Sequence, residues 1–83
     1  MDRGELVKKM SEFVREAMMG RVSEVKLEDD FADDIGMDSM GAVEFVSTVE
    51  SEYKIKITEE ELNNIGMLSE AADLVLQKLS EKG

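Results

Sequence analysis

In three separate stretches of this chain apolar residues recur at helical spacing, and almost nowhere do they alternate as in a strand. Leu6, Met10, Phe13 and Ala17 follow at intervals of four, three and four, with Val7 and Val14 widening the stripe. That spacing predicts a helix from about Glu5 to Met18, with Lys8, Lys9, Glu12, Arg15 and Glu16 on its wet side. Gly20 is its stop signal. From Ser39 to Tyr53 a step of about 100° per residue gathers Ala42, Phe45, Val46, Val49 and Tyr53 on one side. From about Ser69 to Ser80, Ala72, Val75 and Leu79 keep helical spacing, joined by Ala71 and Leu76. Ser69 is the candidate cap of that helix, with Glu70 in its first turn and Lys78 and Lys82 near its end. Thr58-Glu59-Glu60-Glu61 reads as a capping box that opens a short helix to about Asn64. Lys54-Ile55-Lys56-Ile57 alternates, but it is too short for a sheet and has no clear partner strand, so it reads as an extended link. The expectation is an all-α fold: a small four-helix bundle of antiparallel type, three longer helices and one short one, in a single domain over residues 1–83.

A chain of 83 residues builds only a modest core. Leu, Ile, Val and Phe make up about a quarter of it, above the roughly 20% below which disorder is expected. Residues Arg21 to Met37 show no sustained period and read as a loop near 17 residues. A compact domain tolerates such a loop only when apolar side chains anchor it, and Phe31 is the first candidate.

The charge is uneven. Of the 20 acidic and 10 basic residues, 13 acidic and 3 basic fall between Glu24 and Glu61, which accounts for the whole net charge of −10. Such a field repels nucleic-acid phosphates and attracts basic protein surfaces. There is no His, which excludes a Ser-His-Asp triad, and no Cys, which excludes a thiolate metal site. Ser-Lys chemistry would need a lysine packed near Ser39, and the nearest in sequence is Lys26. An EF-hand begun at Asp30 places Ala32 third, Ile35 sixth and Gly41 twelfth, so the calcium-loop pattern fails and no metal site is assigned. Weak divalent binding by the clustered carboxylates stays open. Paired carboxylates can hydrolyse, but a chain this small offers little pocket for a substrate, so no enzyme is expected. No apolar run nears the roughly 18 residues that span a membrane, and the N-terminus lacks an apolar signal core. The expectation is a cytoplasmic protein without membrane or nucleic-acid partners.

The acids crowd around one serine. Asp33 and Asp34 precede Asp38, a good N-cap, and Ser39 falls at the first helical position. A phosphate on Ser39 would lie near the positive end of the helix dipole, while the loop aspartates would repel it. The side of this helix away from the core gathers Met40, Val43, Glu44, Ser47, Ser51 and Lys54. Met40 and Val43 there are either ordinary scattered apolar residues or a small docking patch.

Gly36-Met37-Asp38-Ser39-Met40, preceded by Asp34-Ile35 and followed by Val43-Glu44-Phe45, resembles the phosphopantetheine attachment motif of acyl carrier proteins. Asp-Ser followed by Leu or Met is its most specific part. The resemblance extends over most of the chain, through Phe31 ahead of the motif and Glu50, Glu52, Tyr53 and Ile57-Thr58-Glu59-Glu60 after it. It implies that a phosphopantetheinyl transferase, using coenzyme A and magnesium, places a 4'-phosphopantetheine arm on Ser39, with Gly36, Asp38 and Met40 as the surrounding motif. The arm ends in a thiol that this Cys-free chain does not supply. Acyl groups then ride as thioesters between enzymes of fatty acid synthesis or a related acyl or polyketide pathway, and the bundle shelters short acyl chains. The same resemblance makes Met40, Val43, Glu44, Ser47 and Glu50 the face read by basic enzyme surfaces, on a monomeric carrier. There are departures from the family's pattern: Thr58 where Pro is common, Ser47 at a position commonly apolar, Lys54 and Lys56 where acids are common, and Met67 where a capping Thr is frequent. The Gly-Gly typical of peptidyl carriers is missing, which disfavours an amino-acid cargo. The alternative reading is an acidic helical interaction module, or a weak calcium binder, that never carries an arm.

Overall fold

The computed structural model describes residues 2–82, so the two outermost positions of the expected 1–83 domain lie outside the described residues. Four helices follow one another: α1 (Arg3–Ala17), α2 (Ser39–Tyr53), α3 (Glu59–Asn63) and α4 (Leu68–Lys82). Among the described residues the sole extended pairing is an isolated antiparallel bridge between Asp30 and Met67. The all-α architecture of three longer helices and one short one is as the periodicity predicts.

α1 packs against both α2 and α4. Its fully buried row is Leu6, Met10 and Val14, continued by Met18 just past the helix end, while Phe13 and Ala17 are half-buried. The predicted stripe contains all of these except Met18, which it treats only as the helix boundary, and it ranks Phe13 and Ala17 too deep. Rows spaced by four residues tilt across a helix, and this row runs into the groove between the two neighbours. The chain then reverses in a Schellman turn. The Gly20 amide donates to the Arg15 carbonyl and the Met19 amide to the Glu16 carbonyl, each at 3.0 Å. Met19, rather than glycine, takes the first left-handed position, at φ 57°, and Gly20 follows at φ 78°.

The connection to α2 is the expected long loop, and three apolar side chains hold it down: Val25, Phe31 and Ile35 are all buried. Its backbone is tied to the turn before α4, with the Phe31 amide donating to the Gly66 carbonyl at 2.9 Å and the Ser69 amide to the Leu27 carbonyl at 3.0 Å. Three of its acids serve the loop itself, Asp29 by accepting the Lys26 amide at 2.9 Å. Asp30 accepts from the amides of Ala32 and Asp33, and Asp34 accepts from the amide of Asp30. Such local bonds are how aspartate favours turns over helix.

α2 buries Gly41, Phe45, Val46, Val49 and Tyr53, with Ala42 half-buried beside them. It ends at Lys54, which adopts the left-handed conformation (φ 54°) with its amide on the Glu50 carbonyl. The link that follows is extended as expected, and the Glu50 carboxylate fastens it by accepting the Ile57 amide at 2.8 Å. The capping box forms as predicted: Thr58 Oγ1 accepts the Glu61 amide at 3.1 Å, and Glu61 Oε1 accepts the Thr58 amide at 2.9 Å. Glu61 also meets Lys78 of α4 at 2.9 Å, which pins the short helix to the bundle.

α4 departs from expectation at its start. It begins at Leu68, so Ser69 lies inside the helix and does not cap it. Glu70 Oε1 reaches back instead, accepting from the Gly66 amide at 2.7 Å and the Met67 amide at 3.2 Å. Met67 offers no side-chain acceptor, so the acid three residues on takes the free donors that helix starts leave. α4 buries Leu68, Ala71, Ala72 and Val75, and these join the α1, α2 and loop residues in one apolar cluster.

Candidate functional site

Ser39 is the first residue of α2, and its position is fixed by the residue before it. Asp38 Oδ1 accepts the Gly41 amide at 2.8 Å, closing the first turn. Gly41, which the helical pattern did not single out, is buried beside the Met37 side chain and the Asp38 cap. A Cβ there would sit 3.2 Å from Met37 Cγ and 3.4 Å from Asp38 Oδ1. Gly36 stands at φ 80°, a conformation that strains any residue with a side chain. It turns the loop so that Asp38 meets the helix end-on. The only advance signal for Gly41 is a glycine inside an otherwise regular helical pattern, three residues past an N-cap.

Ser39 is exposed. Among the described residues no protein acceptor meets the amides of Ser39 and Met40. An exposed hydroxyl therefore sits beside two free donors at the positive end of a helix. It also borders a cleft of about 590 Å³ between α2, α3 and the loop. Met37, Ala42, Leu62 and Ile65 line that cleft with the rings of Phe31 and Phe45, whose centroids lie 5.6 Å apart. Asp30, Glu59 and Asn63 also border it, so an apolar interior carries a polar edge.

The outer face of α2 is as the periodicity predicts. Met40 is 80% exposed and Val43 58%, and Glu44 and Ser47 are exposed with them. Val43, Glu44 and Ser47 share a shallow depression with Glu16 and Ala17, which brings the end of α1 to the same surface. Glu50 differs from the other expected face residues. It is half-buried, and its carboxylate is committed to the Ile57 amide. Its angular position on α2, at the edge between core and solvent, turns it toward the link. Asp38, Gly36, Ser39 and Met40 are brought together at one point, whereas Glu50 is a fastener about three turns along α2. Among the described residues no three acidic side chains converge to hold a metal ion.

A family model described as the phosphopantetheine attachment site matches residues 9–75, which include this whole constellation. The chain is also 30% identical over 78 residues to an acyl carrier protein of Chlorobium phaeovibrioides, covering 94% of this chain and 100% of that one. The chain belongs to the acyl carrier protein family. A second relative, an acyl carrier protein of Petrotoga mobilis, is 32% identical over 80 residues, covering 96% of this chain and 94% of its own. The fold agrees as well. The crystal structure of an acyl carrier protein from Thermotoga maritima superposes with a TM-score of 0.85 at 30% identity, covering 100% of this chain and 96% of that one. The solution structure of a holo acyl carrier protein from Geobacter metallireducens gives 0.78 at 25% identity, covering 92% and 87%.

The carrier's cofactor is phosphopantetheine, and it carries acyl groups for acyl-handling enzymes. The residues present fit that group: an exposed hydroxyl, free amides for the phosphate, and an apolar cleft alongside. No helix among the described residues is long and apolar enough to cross a membrane.

Proposed function

We propose that Ser39 Oγ is the attachment point and that the chain delivers acyl groups without transforming them. The observation that carries this reading is the placement of Ser39: exposed, first in α2, capped by Asp38 and bordering the apolar cleft. In the loading step Ser39 Oγ loses its proton and bonds to the phosphorus of coenzyme A that bears the pantetheine, and adenosine 3',5'-bisphosphate leaves. Once attached, the arm supplies a thiol for thioester chemistry. The rest falls to the chain's own residues. Asp38 holds the first turn and so the direction of the Ser39 side chain. The free amides of Ser39 and Met40 offset the negative charge of the phosphodiester. The apolar cleft gives a hydrocarbon tail a place out of water, each buried methylene contributing about 0.8 kcal/mol.

Met40, Val43, Glu44 and Ser47 form the face that the transferase and later enzymes read in this proposal. An apolar pair flanked by acid suits a partner with a greasy spot ringed by Lys and Arg. Glu50 is left out, since its carboxylate is already taken. Residues 1–83 are read as one carrier domain, supported by the single apolar cluster that all four helices and the loop touch. The net charge of −10 opposes self-association and supports a monomer. The compartment in this reading is the cytoplasm, where coenzyme A is at hand as donor. The pathway is fatty acid synthesis or a related acyl or polyketide route. The test is intact mass after incubation with coenzyme A, magnesium and a promiscuous phosphopantetheinyl transferase. Wild type is expected to gain one arm and Ser39→Ala none. An unmodified wild type, or an equal gain on Ser39→Ala, overturns the assignment and leaves an acidic interaction module without an arm.

A further inference from the structure

The end of the molecule away from Ser39 has the opposite character. α2 is 15 residues long, so about 22 Å of axial rise separates Ser39 from Lys54. There Lys54, Lys56, Lys78 and Lys82 line a depression of about 280 Å³ together with Ile55 and a single acid, Glu81. Four of the chain's ten basic residues thus meet at one point of a protein whose net charge is −10.

The local structure holds them there. Lys82 Nζ donates to the carbonyls of Lys54 at 2.9 Å and Tyr53 at 3.3 Å, fixing its charge at the C-terminus of α2, where the helix dipole favours a cation. In the extended link successive side chains alternate. Ile55 and Ile57 are half-buried against the core, and Lys54 and Lys56 point outward and are exposed. Among the described residues three ion pairs form. Lys78 is engaged with Glu61, and Lys54, Lys56 and Lys82 are in none. Lys54 also occupies a left-handed position where glycine would be unstrained.

The geometry points to a second docking surface, at this lysine end, for an acidic segment of a protein partner. An acidic protein segment fits because its charge is confined to the area of the patch. A membrane or a nucleic acid is an extended polyanion and would also meet the repelling field of the acids between Glu24 and Glu61. The patch lies a helix length from Ser39, so a partner can hold the carrier by this end and leave the attachment serine and the Met40–Val43 face free. The docking itself is independent of whether Ser39 carries an arm.

The test is two-dimensional amide NMR of the whole chain titrated with a synthetic glutamate-rich helical peptide at moderate ionic strength. Shifts are expected at residues 54–57 and 78–82 and not at 39–44. The Lys54→Gln/Lys56→Gln double variant is expected to bind the peptide on the order of tenfold more weakly, with its circular dichroism melt unchanged. Lys8→Gln/Lys9→Gln is the control for bulk charge and is expected to bind as wild type. No shifts at the lysine end, or equal weakening by both double variants, overturns the proposal. Shifts at the same amides on raising the concentration of the chain alone would mean a second copy is the occupant. Co-sedimentation with phosphatidylserine vesicles without any peptide response would mean a membrane is, and each of these also overturns it.

Discussion

Replacing Asp38 by alanine removes the acceptor that closes the first turn of α2 and sets the direction of Ser39. Oδ1 of Asp38 takes the Gly41 amide at 2.8 Å, and loss of such a cap costs about 1 kcal/mol, within roughly 0.5–2. In a domain of this size, 1 kcal/mol corresponds to roughly 4–8 °C in melting temperature. Asp38→Asn keeps an oxygen at the same place, and Asn ranks with Asp as an N-cap. Charge complicates the comparison at low salt. The carboxylate gains about 0.3–1 kcal/mol from the helix dipole, and Asp33 and Asp34 in the preceding loop oppose it. Both effects fade in about 1 M salt, where the screening length is about 3 Å. The hydrogen bond is then what remains. In circular dichroism melts at high salt, Asp38→Asn should therefore melt with wild type and Asp38→Ala roughly 4–8 °C below it. Equal melting of the two variants there would falsify the capping account, whatever happens at low salt.

Three further outcomes are expected. Tyr53 buries a hydroxyl that finds no partner among the described residues, and burial followed by the nearby Glu52 charge pushes its pKa up. An unpaired buried polar group costs about 1–3 kcal/mol, so Tyr53→Phe, which keeps the edge contact with Phe13, should hold or raise the melting temperature. A clear fall would mean the hydroxyl is satisfied in solution. The Glu61 carboxyl is held below its ordinary range, first by the Thr58 amide and next by Lys78. A depressed pKa stabilises the fold above the unfolded value and ceases to do so as pH falls through the folded one. The stability gap between wild type and Glu61→Gln should accordingly be widest near neutrality and close in acid; a gap that does not change with pH would remove Glu61 from the acid response. Finally, added sodium chloride or millimolar magnesium should raise the melting temperature by screening the acids between Glu24 and Glu61. A flat response would show those carboxylates to be too far apart to repel.

The helices were legible because each leaves a periodic trace. Leu6, Met10 and Val14, and Phe45, Val46, Val49 and Tyr53, follow from spacing alone, and so does the Thr58–Glu61 box. What escaped is tertiary. Ser69 falls inside a helix that starts one residue earlier, where its amide meets the Leu27 carbonyl 42 positions away in the chain and Glu70 takes the free amides. The duty of Glu50 depends on where Ile57 comes to lie, and the burial of Gly41 on where Asp38 and Met37 do. For the site, motif residues can be placed on a helix start from sequence. The cleft beside them is made by Phe31, Leu62 and Ile65, which belong to three segments with no shared pattern.

α3 has no buried residue. Its capping box, the Glu61–Lys78 pair and the half-buried Leu62 and Ile65 attach it to the rest, while the longer helices are anchored by the central cluster. The free energy needed to lift these five residues is expected to fall below that of global unfolding. In hydrogen exchange their amides should report a separate, shallow opening while those of α1 and α2 stay protected. That outcome would make one wall of the cleft compliant where the other, α2, is anchored in the core. Under the proposed function, a tail longer than the resting cleft would be taken in by displacing that wall, without disturbing the helix that begins at Ser39.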